Sequence, residues 1–226
     1  MRYLVIPAHP DDGEFLCGGT VAKLAKEGNV VYYCNITSGQ RGISGKSIKE
    51  SAKIREAEQL NASKVLGVRE VIFLGFMDGE VENTPKLRKK IVEVIRLVKP
   101  DVVMTFDPAH KYDNYARLHP DHRRTAETVF DVLYPAVGND SYYPELIKKG
   151  FKPHTVKEAW FFGSDNPTDY IDITKTIKTK LQALREHKSQ VKEHEFEKRV
   201  MHWAGETGKK AKVKYAESFR KLKLWR

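Results

Sequence analysis

Four short apolar runs, RYLVIP (2–7), VVYYCNIT (30–37), VIFLG (71–75) and DVVMTF (101–106), alternate with stretches of helical periodicity. That alternation narrows the fold more than any other feature of the chain. The runs are too short for helices and rich in β-branched and aromatic residues, as buried strands are. Between them, residues 15–28 place Leu16, Val21, Leu24 and Ala25 at helical spacing and stop at Gly28. Residues 48–66 do the same with Ile48, Ala52, Ile54, Ala57, Leu60 and Leu66 before Gly67, and 85–98 supply a third helix. Strand–helix–strand units of this length close as right-handed crossovers, which build a parallel sheet covered on both faces. The expected fold is α/β, with a Rossmann-like, mostly parallel sheet. Ligands in such sheets lie beyond the carboxyl ends of the strands, near the point where strand order reverses. This singles out the loops at 8–14, 37–47, 76–84 and 106–118.

After residue 135 the pattern loosens, punctuated by Pro135, Gly138, Pro144, Gly150 and Pro153. VKEAWFFG (156–163) and YIDI (170–173) read as further strands, and 174–190 as a helix with Thr174 as its N-cap. Tyr215, Phe219 and Leu222 fall at i, i+4 and i+7 among lysines, the pattern of a helical face. The expected organisation is a Rossmann-like core over 1–135 and a smaller strand and helix portion over 136–226. Both belong to one domain, which ends in a basic helical tail. The formal charge is +10, and residues 175–226 hold all of it, with 16 Lys+Arg against 6 Asp+Glu. The body that must contain any pocket is neutral, so nucleic acid is not the expected partner. No apolar run reaches the ~18 residues that span a bilayer, and the N-terminus lacks a secretory apolar stretch. A soluble, cytoplasmic protein is expected. Cys17 and Cys34 form no C-x-x-C pair and read as small buried hydrophobes.

Two clusters carry the chemistry. Ala8-His9-Pro10-Asp11-Asp12-Gly13-Glu14 follows the first strand, and His119-Pro120-Asp121-His122 opens a helix past the loop after the fourth. Pro120 fits a first helical turn, which sets His119 and His122 three apart on one side of it. If strands one and four are neighbours, both clusters face one crevice. Histidine nitrogens with a carboxylate oxygen are the ligand set of a catalytic zinc, Zn2+, whose fourth position is left to water. A second carboxylate beside the ligand can act as general base. The remaining histidine can donate to an oxyanion or protonate a leaving amine. Spacing alone does not decide which aspartate binds the metal.

AHPDDGE followed by Gly18-Gly19, with HPDHR later, resembles the LmbE-like/PIG-L family of zinc-dependent de-N-acetylases. TSGQRG (37–42), REAE (55–58), LGFMDG (74–79) and HKSQ (187–190) extend the resemblance over most of the chain. It implies a hydrolase that removes acetyl from an N-acetylglucosamine-containing substrate, or a related amidase acting on another amide or thiol conjugate. It also implies a homo-oligomer, trimer or hexamer. By resemblance His9, Asp12 and His122 are the zinc ligands, Asp11 the general base, and His119 the oxyanion stabiliser or general acid. Asp121 then orients a histidine, while Arg55 and Asp78 match sugar-contacting positions; His187 is a weaker match. Two departures bear on the substrate. Gly13 displaces the glutamate that is common after HPDD to Glu14, and Gln40 stands where an acidic residue is frequent. Tyr112, Tyr115 and Arg117 are expected at the mouth, reading the group beyond the acetamido sugar.

Other classes fit less well. Trp203, Tyr215, Phe219 and Trp225 among the tail lysines suggest a nucleic-acid or anionic-surface binder with an incidental metal site. A nicotinamide dehydrogenase would need G-x-G-x-x-G after strand one, where this chain has HPDD. A phosphoesterase would usually hold two metals with extra carboxylates, and one His-Asp-His set is visible here.

Overall fold

The computed structural model describes residues 1–109, 118–191 and 195–224. Its sheet has seven strands: β1 (Arg2–Val5), β2 (Val30–Thr37), β3 (Glu70–Phe76), β4 (Val102–Phe106), β5 (Glu158–Phe162), β6 (Asp169–Asp172) and β7 (Ala216–Lys223). They lie in the order β3-β2-β1-β4-β5-β7-β6. The first five pair in parallel, and β7 pairs antiparallel with both β5 and β6. Strand order reverses between β1 and β4, which are neighbours in the register Tyr3↔Val102, Leu4↔Val103 and Val5↔Met104. The two histidine clusters therefore leave adjacent strands at one end of the sheet.

The helices are α1 (Asp12–Lys26), α2 (Ile48–Leu66), α3 (Pro85–Val98), α4 (Pro120–Asp131), α5 (Pro144–Lys148), α6 (Ile177–Arg185) and α7 (Glu195–Ala211). Successive strand residues point to opposite faces, and the core divides accordingly. Leu4, Ile6, Cys34, Ile36 and Val103 pack with α3 and α4 on one face. Tyr3, Val5, Tyr33, Met104 and Phe162 pack with α1, α2 and α6 on the other. Cys17 and Cys34 are both free and buried. A smaller cluster joins Ile173, Ile177, Leu181 and Leu184 to Phe196, Val200 and Ala204 of α7. Helix α2 carries a full capping box, Ser47 with Glu50, and ends at Gly67 in the left-handed region with φ 80°.

Three expectations are corrected. The 174–190 helix begins later, at Ile177, and Thr174 instead accepts the Tyr215 N–H at 3.2 Å. Most of the apolar set on α2 does not face the core: Ile48 and Leu60 are 48% and 43% exposed, and of the set only Leu66 is buried. Its inner face is Ser51, Arg55, Glu58, Gln59, Ala62, Ser63 and Leu66, largely polar because it covers the end of the sheet where the charged clusters lie. The expected basic helical tail is instead helix α7 followed by strand β7, which sits inside the sheet between β5 and β6. Phe219 and Leu222, three apart, lie on opposite faces: Phe219 packs with Trp160 and Phe162, Leu222 against the layer of Ala159 and Phe161. A spacing that imitates a helical face here alternates across a strand, and pairing with β5 and β6 decides the conformation.

Candidate active site

Beyond β1 the chain continues alongside β2, with Ile36 N–H donating to Pro7 O at 3.1 Å and Thr37 N–H to Ala8 O at 2.9 Å. This extended segment delivers His9 to the crevice. The turn into α1 places Asp11 at φ 92°, a region costly for a residue with a Cβ. Asp12 opens α1, and its Oδ2 accepts the His9 backbone N–H at 2.8 Å. Across the crevice His119 caps α4, with its ring Nδ1 accepting the Asp121 N–H at 3.2 Å. Pro120 follows in the first turn, and His122 stacks on Phe106 at the end of β4, ring centroids 4.3 Å apart.

The two nitrogens of His9 divide their partners. Nδ1 lies 3.2 Å from His122 Nε2 and 3.4 Å from Asp12 Oδ2, while His122 Nε2 lies 3.2 Å from Asp12 Oδ1. A tetrahedral ion with ~2.0–2.1 Å bonds sets its ligand atoms ~3.3 Å apart. His9, Asp12 and His122 therefore have the spacing of three corners around one ion. On the other side, His9 Nε2 meets Asp121 Oδ2 at 3.1 Å and Asp78 Oδ1 at 3.2 Å. Two further sets of potential ligand atoms lie within 4.8 Å of one another, His9/His119/His122 and His9/Asp78/His119/Asp121. In the second, Asp121 is already engaged: Oδ2 accepts Gly79 N–H at 2.7 Å and Oδ1 accepts Val81 N–H at 3.2 Å.

The charges show an excess of carboxylate around these rings. Burial opposes a charged His9, yet hydrogen bonds to Asp12, Asp121 and Asp78 carry its pKa well above the ordinary value. Burial works to raise Asp12, but His122 and His9 hold it well below the usual carboxylate range. Asp78 is likewise brought down to about 2, its burial outweighed chiefly by His9. Burial dominates at Asp11 and pushes it up to about 6 against the pull of Arg55. His119 is lowered by burial and by the neighbouring His9 and His122. A buried set of aspartates that draws a proton onto an imidazole is one that a divalent cation would satisfy.

Arg55 and Asp78, expected at the sugar, have partners within the protein. Arg55 is 4% exposed, and its Nη2 donates to Pro10 O at 2.6 Å and Asp11 Oδ2 at 3.1 Å. Asp78 accepts the Arg41 N–H at 3.1 Å besides facing His9. Gln40 is buried and ties the end of β3 to the next loop, donating to Phe76 O and accepting the Asp78 N–H. His187 is fully buried 3.4 Å from Glu14, well inside the protein. Tyr112, Tyr115, Arg117 and Trp225 lie outside the described residues.

Two neighbours were not singled out by the sequence. Gln59 accepts the Asp11 N–H at 3.1 Å and donates to Glu14 Oε1 at 2.9 Å. Its i, i+4 spacing from Arg55 is the signal that would have found it. Phe106, the platform for His122, reads in sequence only as the last apolar residue of a strand.

A mostly parallel α/β sheet with a His/Asp cluster at its strand-order reversal defines the class of protein. Residues 4–133 match the family described as PIG-L: GlcNAc-PI de-N-acetylase, and the chain belongs to that family. It is 32% identical over 198 residues to a diacetylchitobiose deacetylase of Thermococcus kodakarensis, covering 87% of this chain and 72% of that one. A probable N-acetyl-alpha-D-glucosaminyl L-malate deacetylase 2 of Bacillus subtilis is 29% identical, over 83% of this chain and 82% of its own length. Among solved structures, the N,N'-diacetylchitobiose deacetylase of Pyrococcus horikoshii superposes with a TM-score of 0.91 at 29% identity, covering 98% of this chain and 84% of that chain. The fold alone does not fix the chemistry. GalB, the 4-carboxy-2-hydroxymuconate hydratase of Pseudomonas putida, shares it with a TM-score of 0.81 at 20% identity, over 100% of this chain and 97% of that chain.

Proposed function

We propose that this chain is a zinc-dependent hydrolase that removes the acetyl group from an N-acetylglucosamine unit of a small sugar or sugar conjugate. The observation that carries the reading is the convergence of His9 Nδ1, His122 Nε2 and the Asp12 carboxylate at 3.2–3.4 Å, with Asp11 beside them. Zinc held by those three groups would supply Lewis-acid activation of water and of the amide carbonyl. Asp121 and Asp78 fix the ring of His9 so that Nδ1 points into the crevice. Asp11 takes the proton of the attacking water as general base, in a geometry set by Arg55 and Gln59. The Asp121 N–H on His119 Nδ1 selects the neutral tautomer with hydrogen on Nε2. His119 then serves as a hydrogen-bond donor to the tetrahedral oxyanion. Asp11 returns that proton to the nitrogen as the C–N bond breaks, so the products are the free amine and acetate, and a second water restores the site.

The diacetylchitobiose and N-acetylglucosaminyl-malate activities named for the relatives support an acetamido sugar as substrate. By the same reading the chain acts in the cytoplasm as a homo-oligomer, which fractionation and light scattering test. The deciding experiment is acetate release by zinc-loaded protein from N-acetylglucosamine, its β-linked dimer and an N-acetylglucosaminyl-inositol. Asp11→Asn is the control, expected to keep zinc and lose turnover. Release from none of the three by protein that holds zinc would overturn the sugar substrate and favour another amide, such as the thiol conjugates of a 28%-identical mycothiol S-conjugate amidase.

A further inference from the structure

Gly18 and Gly19, in the middle of α1, are not explained by the reaction. Neither reaches the crevice, yet both meet groups from the last third of the chain. A Cβ on Gly19 would come within 2.7–2.9 Å of Ile173, and one on Gly18 within 3.4 Å of Lys180 Cγ. Around them, three side chains engage four backbone groups of α1. Glu217 of β7 accepts the N–H of Gly19 at 2.9 Å and of Thr20 at 2.7 Å. Lys180 of α6 donates to Phe15 O at 2.7 Å, and Thr176 Oγ1 donates to Gly19 O at 2.8 Å. In a regular α-helix the Gly19 N–H and the Phe15 C=O are each other's partners. Here the acid and the base stand across that rung, joined to each other at 2.6 Å with both side chains only 4% exposed.

A buried ion pair is weak grounds for stability, because desolvation offsets most of its attraction. Its value here is positional. The rung lies one turn beyond Asp12 and Glu14, so whatever sets the first turn of α1 sets Asp12 against His9 and His122. We infer that Lys180 and Glu217 are positioning residues: through the Phe15–Gly19 rung they hold the first turn of α1 at the angle the metal ligands require. Gly18-Gly19 leaves the room for them. This inference rests on the metal site proposed above. It gives β7 a task in the site through its hold on α1.

The test is the paired apolar variant Lys180→Met/Glu217→Leu. Removing one partner alone would strand a buried charge, whereas removing both leaves a neutral core. Zinc affinity is measured by competition with a chromophoric chelator, and a thermal melt of the apo protein is run beside it. Variant and wild type are expected to melt alike, while zinc affinity falls about 10–100-fold, the usual effect of disturbing the support of a ligand. In the loaded enzyme kcat should fall more than KM rises. A folded double variant that binds zinc as tightly as wild type overturns the inference. His122→Ala separates that outcome from failure of the site itself: if it binds zinc as well as wild type, the site assignment is wrong and the inference falls with it.

Discussion

Asp121→Asn tests the arrangement around His9 most sharply. The Asp121 carboxylate is fully buried and takes three donors: His9 Nε2 at 3.1 Å and Gly79 N–H at 2.7 Å on one oxygen, Val81 N–H at 3.2 Å on the other. Asparagine keeps one acceptor. With its carbonyl toward His9 and Gly79, its amide nitrogen confronts the Val81 N–H, and one buried donor loses its partner. That costs about 1–3 kcal/mol of stability. The ring of His9 separately loses a charged anchor on the side away from Asp12 and His122, which should lower zinc affinity about 10–100-fold. That loss corresponds to about 1.4–2.8 kcal/mol of binding free energy. A thermal melt of the apo protein reads the first effect, and chelator competition reads the second. If the melting temperature falls while zinc affinity stays at the wild-type value, Asp121 merely ties the loop at 79–81 to α4. The claim that it aims His9 at a metal would then be refuted.

Other perturbations follow from the same geometry. Burial pushes Asp11 up to about 6 while Arg55 pulls it down; the base works ionised, so kcat/KM should decline as pH falls through that value, and a bound cation only moves the decline lower. Arg55→Met should shift this acid limb upward in a pH–rate profile, whereas an unmoved limb with a raised KM would make Arg55 a substrate contact alone. Gln59→Met removes the acceptor of the Asp11 N–H and should lower kcat about 10²-fold with zinc content unchanged, since small misplacements of a catalytic group cost that much; a wild-type kcat would show that Asp11 holds its geometry without it. Phe219→Ala, in the middle of an interior strand and fully buried, should cost about 3–5 kcal/mol in urea unfolding. A loss below 1 kcal/mol would contradict the placement of β7 inside the sheet.

The parallel half of the fold was legible because each unit declares itself locally. β1 to β4 are runs of apolar residues, α2 begins on Ser47-x-x-Glu50, and α3 begins on Thr84-Pro85. The clusters HPDD and HPDH were legible for the same reason, since ligands contributed by adjacent strand ends need only short motifs. What stayed hidden depended on distant partners. The inner face of α2 is polar because it covers the site, so hydrophobic periodicity pointed to the wrong side of that helix. Strand β7 pairs with β5 and β6, dozens of residues upstream, and its basic residues masked an interior position. Asp78 and Arg55 were found by resemblance, but only the fold shows that one faces His9 and the other the general-base candidate.

The tail also shows why charge counted along a sequence differs from charge on a surface. Residues 175–226 carry the chain's whole +10, which in the sequence supported only the competing reading of a nucleic-acid or anionic-surface binder. Lys180 spends its charge on buried Glu217 and the carbonyl of Phe15. Arg220 forms a bidentate pair with Asp107, the residue after β4. Lys221 lies over the ring of Trp160 at 3.8 Å and pairs with Asp169. Two of these three pairs reach back to strand ends or helices that carry the site. The basic C-terminal portion is therefore in part an internal counterion system, answering acidic groups of the sheet end and of β7 itself. An interior strand with such commitments has fewer cations to offer a polyanion, and this argues for an enzyme completed by its C-terminal portion over a binding module with an appended arm.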